Sequence, residues 1–149
     1  NPPKSLAKLE EMRYNNPKEY SLIQAYVNSV ERGAMSPLVG YDKYKKYYER
    51  IEQELVGLTT SSGIKITGQS KHLLERVFGT ISDLDHDGVV RNGVEIDDLK
   101  DALLKGKFKK PKETKQKDGK ILRSQTHYTD KCLVTVNPDT GVIIQCNPY

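Results

Sequence analysis

A histidine and an arginine four residues apart have the spacing in this chain that most directly suggests chemistry. On a helix, His72 and Arg76 stand one turn apart on the same face. Ser70 is a candidate N-cap, which would place Lys71 and His72 in the first turn, where the positive helix end attracts anions. The same field disfavours imidazolium and favours a neutral, basic ring. This arrangement suits a phosphodiester.

RNA is the phosphodiester that needs least from a protein, because its 2′-OH is a built-in nucleophile and cleavage needs no metal ion. The protein must supply a base, an acid for the 5′-oxygen and cations for the phosphorane charge. His72 fits the base or the acid, and Arg76 can hold a phosphate with two donors. The second proton function falls to one of several residues that the pattern does not separate: Ser124, Thr126, His127 and Lys131.

Metal and nucleotide motifs are weak or missing. The run from Asp83 to Gly88 imitates the start of a calcium-binding EF-hand loop. Val94 stands where the loop needs its bidentate glutamate, and Arg91 puts a cation at a ligand position. The cysteines and histidines lack zinc-ligand spacing, and no Walker, GxGxxG or GxSxG motif occurs. We expect an acidic solvent loop, no metal and no cofactor; a calcium-gated helix pair is a third alternative.

Charge is distributed unevenly along the 149 residues, whose net charge is +4. Residues 83–101 hold seven acids and two bases, whereas residues 105–131 hold ten bases and three acids. The basic block predicts a nucleic-acid surface, the alternative being solvated lysines on edge strands. No run approaches the ~18 apolar residues of a membrane span, and there is no signal-peptide pattern. A chain that begins with Asn1 is expected to be part of a longer polypeptide or a processed product.

The elements that must position these residues change type along the chain. Residues 1–62 have helical periodicity, and a Ser/Thr/Gly link predicts a boundary before a second domain, residues 63–149. There a short strand over Gly63–Gly68 precedes the His72 helix, and a further helix spans about 95–105. The remainder has strand patterning. The fold class is therefore α+β, with N-terminal helices followed by an antiparallel sheet of about four strands packed against helices.

The last two strands flank the turn residues 137–141 and form a hairpin. Burying the apolar even positions together pairs Val136 with Val142 and Cys132 with Cys146. Both cysteines are expected to be reduced and packed as small hydrophobes. The opposite face then carries the following residues: Lys131, Leu133, Thr135, Ile143, Gln145 and Asn147. A bulge at the turn would shift this parity by one residue.

Three segments resemble a known toxin superfamily. They are Ser70–Val77 (SKHLLERV), Arg91–Val94 (RNGV) and the ending Val134–Gly141 with Gln145–Pro148 (VTVNPDTG and QCNP). They resemble phage-associated (MuF-type) polymorphic toxin domains of the barnase–EndoU–colicin–RelE-like ribonuclease superfamily. The resemblance covers about residues 63–149. It implies a small metal-independent ribonuclease, helices on a four-stranded antiparallel sheet, and a cognate immunity protein.

The same resemblance identifies His72 and Arg76 as the helix histidine and arginine, and residues 145–147 as the polar end of the last strand. Family members often carry Thr where this chain has Cys146, which leaves a hydroxyl role at that position in doubt. No fixed family histidine corresponds to His127, which is a secondary candidate.

We therefore expect a toxin that cleaves cellular RNA in the bacterial cytoplasm, leaving a 2′,3′-cyclic phosphate, as the C-terminal part of a larger phage or toxin polypeptide. The expected catalytic residues are His72, Arg76, Lys131 and Asn147. The expected substrate-binding residues are Lys71, Arg91, Arg123, Ser124, Thr126, His127, Thr135 and Gln145. The alternative is a non-catalytic phage structural or nucleic-acid-binding module with steep salt dependence.

Overall fold

A computed structural model describes residues 4–79 and 92–149, with side chains from residue 8 onward. In this part of the chain the helices are α1 Lys4–Asn15, α2 Pro17–Glu31, α3 Tyr41–Leu55, α4 Leu73–Phe78 and α5 Ile96–Lys105, with a 3₁₀ turn at Pro37–Val39. The strands are β1 Gly68–Gln69, β2 Lys107–Phe108, β3 Lys112–Lys115, β4 Ile121–Tyr128, β5 Cys132–Val136 and β6 Val142–Pro148.

The break between the first two helices follows from local chemistry. Asn16 is the N-cap of α2, and its side chain accepts a hydrogen bond from the Glu19 amide at 3.2 Å. Pro17 occupies the first helical position, where its missing N–H costs nothing. This cap and this proline separate α2 from α1.

The strands form a mostly antiparallel sheet in the order β1-β6-β5-β4-β2, with β3 pairing a different part of β4. The α+β class is thus confirmed, although the described residues form six strands rather than about four. The basic segment before β4 forms two strands, β2 and β3, and Pro111, which cannot donate to a ladder, lies between them. The strand predicted over Gly63–Gly68 is wrong. Only an isolated Thr59–Lys65 bridge and the two-residue β1, parallel to β6, form there.

One buried cluster connects the helices to the sheet. Ile51 and Leu55 of α3 lie in the same cluster as Leu99 of α5 and Val134 of β5, and all four are fully buried. A side chain of this size contributes about 1.5–3 kcal/mol when buried. Residues on both sides of the predicted boundary at position 62 therefore pack together.

The β5–β6 register corrects the predicted pairing. Cys132 lies opposite Pro148, and Cys146 lies opposite Val134. The even positions of β5 and Cys146 are buried as expected, but a register shift between Thr135 and Val136 buries Ile143 in place of its neighbours. A bulge inserts one residue on one strand and so reverses which side chains face the core.

The extra residue is Ile144 of β6, and the turn that precedes this strand is closed by side-chain hydrogen bonds. Oδ1 of Asn137 accepts hydrogen bonds from the amides of Asp139 at 2.8 Å and Thr140 at 3.2 Å, which closes an Asx turn. Gly141 follows with φ +82°, a conformation that favours glycine.

Helices in the described ranges are too short or too polar to cross a membrane.

Candidate functional site

The helix α4 does not begin directly after Ser70, as the sequence predicts. The helix begins at Leu73, and His72 is its N-cap residue without a side-chain capping bond. The Ser70 hydroxyl instead donates to the Ile144 carbonyl at 2.6 Å, which fastens this segment to β6. Ser70 is therefore not the N-cap, and Lys71 and His72 precede the helix. Ile144 lies just beyond the residues of β6 that pair with β1, and there a short hydroxyl side chain can supply the donor that its carbonyl needs.

A buried carboxylate organises the surroundings of His72. Oε2 of Glu75 lies 3.0 Å from Nδ1 of His72 and accepts a 2.8 Å hydrogen bond from the Ser29 hydroxyl. The Arg32 guanidinium forms an ion pair with the same oxygen. The His72 side chain is 62% exposed, while that of Glu75 is 9% exposed. The imidazole is thus held at Nδ1 by the Glu75 carboxylate, while most of its side chain is exposed.

The hydrogen-bonding groups determine which tautomer of His72 this arrangement favours. Nδ1 has two neighbours: the Glu75 carboxylate at 3.0 Å and the Arg32 guanidinium at 3.5 Å. A carboxylate only accepts, and the shorter contact is the stronger one, so Nδ1 carries the hydrogen and donates it to Glu75. In the neutral ring Nε2 then carries a lone pair, which is what a general base needs.

His72 lies on the wall of a groove between α2, α3 and the start of α4. The groove has a volume of about 1010 Å³, and Lys71, Gln69, Tyr48 and Ser29 line it together with the His72–Glu75 pair. This volume is at the upper end of that of small-molecule sites. The groove is therefore large enough to hold a nucleotide-sized ligand beside His72.

Hydrogen bonds fix the side chains at the other end of this groove. Glu19 accepts from the Tyr41 hydroxyl at 2.8 Å and from Lys45 Nζ at 3.1 Å. Burial acts to raise the pKa of the Glu19 carboxyl, but these two donors outweigh it and lower that pKa. Nε2 of Gln69 donates to the Tyr48 carbonyl at 3.2 Å, which orients the amide. These groups of the groove wall are thus paired, whereas the buried Oε1 of Gln69 has no hydrogen-bond partner among the described residues.

Arg76, predicted to share the face of His72, has different surroundings. Its Nη1 is buried and has no hydrogen-bond partner among the described residues. Burial raises the pKa of the Cys146 thiol to about 12, and the positive charge of Arg76 opposes this rise. Arg76 therefore lies near the core face of β6, whereas His72 contacts Arg32 and Glu75. The predicted pairing of His72 with Arg76 is therefore wrong, and the partner of His72 on this helix is Glu75, three residues on.

Several predicted substrate-binding residues form one row on the open face of the sheet. Thr126 pairs with Thr135, which pairs with Gln145, so the three side chains lie side by side across β4, β5 and β6. Ser124 and Asn147 share their face. This face is opposite to the one that α4 and α5 cover, where Cys132 and Val134 are buried. The structure thus separates this row from the groove of His72.

Two basic residues of the predicted site form ion pairs with carboxylates. Nη1 of Arg123 lies 2.7 Å from Oδ1 of Asp139, at the β5–β6 turn. Nζ of Lys131 lies 3.6 Å from Oδ1 of Asp98, on α5. These contacts place neither cation beside His72. Arg91 and the EF-hand-like run from Asp83 lie outside the described residues.

His127 faces the core rather than solvent. It is fully buried, and its Nε2 lies 2.7 Å from the Ser62 hydroxyl. Its Nδ1 has no hydrogen-bond partner within the described ranges. Burial lowers the pKa of the imidazole, and carbonyl contacts with Gln125 and Val134 only partly offset this. In this structure His127 cannot contact an RNA phosphate.

The sequence analysis missed Ser29, Arg32 and Glu75. Glu75 follows His72 by three residues, a spacing at which helical side chains meet, so its signal was present. Ser29 lies on α2 and Arg32 is its C-cap residue; both precede His72 by at least 40 positions, and no local pattern connects them to it.

The described ranges bring no three metal-ligating His, Cys, Asp or Glu side chains together. The chain matches no protein-family model, and comparison with curated proteins and with solved structures found no match.

Proposed function

We propose that this chain is a ribonuclease in which His72 is the general base. The observation that carries the proposal is the contact of His72 Nδ1 with a buried, doubly supported carboxylate while most of the imidazole is open to a groove. A base oriented by an acceptor on its far nitrogen is the recurring arrangement for activating a hydroxyl.

In the proposed reaction Nε2 of His72 takes the proton of a 2′-OH, and the 2′-oxygen bonds to the adjacent phosphorus. The bond from phosphorus to the 5′-oxygen breaks, which leaves a 2′,3′-cyclic phosphate and a 5′-OH. The imidazolium formed in the first step can return its proton to the departing 5′-oxygen. Lys71, exposed beside His72, supplies positive charge for the phosphate.

The residues that resemble the barnase–EndoU–colicin–RelE-like superfamily support a wider proposal. In it, the ribonuclease is a toxin that acts on cellular RNA in the bacterial cytoplasm and is held inactive by an immunity protein. It would form the C-terminal part of a longer phage or toxin polypeptide.

The test is to incubate the purified chain with RNA in the presence of EDTA and to identify the 3′-ends by mass spectrometry. We expect fragments ending in a 2′,3′-cyclic phosphate. His72→Gln should lower the rate by about 10²–10⁴-fold. Gln53→Ala, an exposed change in the same groove, is the matched control. Equal rates for His72→Gln and the unaltered chain would refute the role of His72.

A second candidate function is RNA binding without cleavage. The observation that favours it lies on the open sheet face, where Lys109 Nζ is 5.8 Å from the centre of the Tyr128 ring, beside the row that contains Thr126. Aromatic rings next to cations are typical of surfaces on which bases stack. Such a module would bind RNA and release no fragments in the same assay.

A further inference from the structure

The positive charge of this protein is concentrated in one projecting element. We define the basic ribbon as residues 107–123, which contain β2, β3, the turn after β3 and the first part of β4. The basic ribbon holds eight of the 24 basic residues and two of the 20 acidic ones. The remainder of the chain therefore has 16 basic and 18 acidic residues, and the net excess of +4 comes from the basic ribbon.

The outer part of the basic ribbon is only two strands wide. β3 pairs with residues 121–124 of β4, whereas β5 pairs with residues 125–128. Within the described residues no third strand covers the outer part, and every residue from 107 to 122 is exposed. Isolated two-stranded hairpins are marginal in water, so an exposed one needs local supports.

These supports are present and use the acidic groups of the region. Oδ1 of Asp118 accepts from the Lys120 amide at 2.9 Å, and Gly119 adopts φ +85° to complete the turn. At the base, Arg123 lies opposite Glu113 and forms an ion pair with Asp139. The hairpin is therefore held in shape before it meets a ligand.

The lysine side chains of the basic ribbon do not support the hairpin through ion pairs. Among the described residues none of them forms an ion pair with a carboxylate, and Lys109, against Tyr128, is the one with a ring contact. They also point to both faces, because Lys112 and Lys115 are separated by an odd number of positions along β3. A rigid protein surface would cover one face, whereas a flexible polyanion can contact both.

We infer that the basic ribbon is an arm that binds single-stranded RNA through its phosphates, separate from the groove of His72. This inference rests on the proposed function for its biological meaning, since the arm would hold the RNA that the groove cleaves. Its contacts are electrostatic, so each lysine that neutralises a phosphate steepens the dependence of binding on salt.

The experiment measures binding without cleavage. A fluorescent 2′-O-methyl RNA of 20 nucleotides lacks the nucleophilic hydroxyl, so its anisotropy reports binding whether or not the chain is a ribonuclease. The variant Lys112→Gln/Lys115→Gln/Lys120→Gln is compared with Lys8→Gln/Lys46→Gln/Lys65→Gln. All six lysines are exposed, and both variants lose the same charge.

We expect the ribbon variant to bind at least tenfold more weakly at low salt, and the slope of log affinity against log salt to become shallower by about 2. The control variant should change affinity less than threefold. Equal losses in both variants, or no loss in the ribbon variant, would overturn the inference. Tighter binding of duplex DNA would assign the arm to a duplex, and tighter binding of polyglutamate would assign it to an acidic protein; either result overturns the RNA assignment.

Discussion

Nδ1 of His72 lies 3.0 Å from Oε2 of Glu75, and the two residues meet across the first turn of α4. The carboxylate is 9% exposed and is also bound by Ser29 and Arg32. This relationship gives the imidazole a fixed orientation that its own backbone position does not provide. In the proposed function Glu75 is therefore a positioning residue, since its carboxylate would act on RNA only through His72.

Glu75→Gln should lower the cleavage rate by about 10- to 100-fold, because an amide can present its NH₂ to Nδ1 and release the ring from its orientation. Binding of the 2′-O-methyl RNA should stay within threefold of the unaltered chain. Glu52→Gln, in the same groove, is the control. A merely structural role predicts that activity falls only as far as the folded fraction measured by circular dichroism.

The burial of His127 predicts how the free energy of unfolding depends on pH. Its pKa is lowered from 6.5 by burial, so the unfolded chain takes up a proton at a higher pH than the folded chain does. The contribution of His127 to the free energy of unfolding is full above pH 6.5 and decreases as the pH falls from 6.5 towards the folded pKa.

Urea unfolding at pH 7.5 and 5.0 measures this loss. His127→Gln, whose amide can still bond to Ser62, should reduce the difference between the two pH values. His72→Gln, at an exposed histidine, should leave most of it. A pH difference unchanged by His127→Gln would contradict the prediction.

Two glycines with similar backbone angles should respond differently to alanine. A Cβ on Gly141 would lie 2.1 Å from the Lys65 carbonyl oxygen, whereas nothing lies within 4 Å of a Cβ on Gly119. Both have positive φ, which costs a non-glycine residue about 1–2 kcal/mol. Gly119→Ala should cost about that amount and Gly141→Ala about 3 kcal/mol or more, because a backbone atom must also move. Thermal unfolding of both variants measures the difference.

Packing of α3 against the sheet predicts that the helical half and the sheet unfold together. Ile51 is fully buried in the cluster that includes Val134 of β5. Ile51→Ala should destabilise the chain by about 2–5 kcal/mol through lost burial and a residual cavity. We expect a single calorimetric transition that moves to lower temperature. Two transitions, with only one displaced, would indicate separate folding of the two predicted regions.

Local chemistry was sufficient for much of the fold. The α+β class, the helix break at Asn15–Pro17 and the burial of Cys132 and Cys146 depend on periodicity, proline geometry and strand alternation. These act between residues a few positions apart. They could therefore be predicted from the sequence by itself.

The candidate site depended on the tertiary structure. The sequence identified His72 but paired it with Arg76, assigned Ser70 as a cap, and grouped it with Thr126, Thr135 and other strand residues. In the folded chain the Ser70 hydroxyl binds β6, the charge of Arg76 lies near enough to lower the pKa of Cys146, and the strand row lies apart from the groove.

Arg32 and Ser29 reach Glu75 from a helix more than 40 positions away. These residues come together because apolar side chains of α3, α4 and the sheet are buried in one core. The periodicity of one segment predicts its apolar face, but it does not predict which other segment that face will contact. The sequence determined which residue types were available for chemistry, and the packing of the core decided which of them came together.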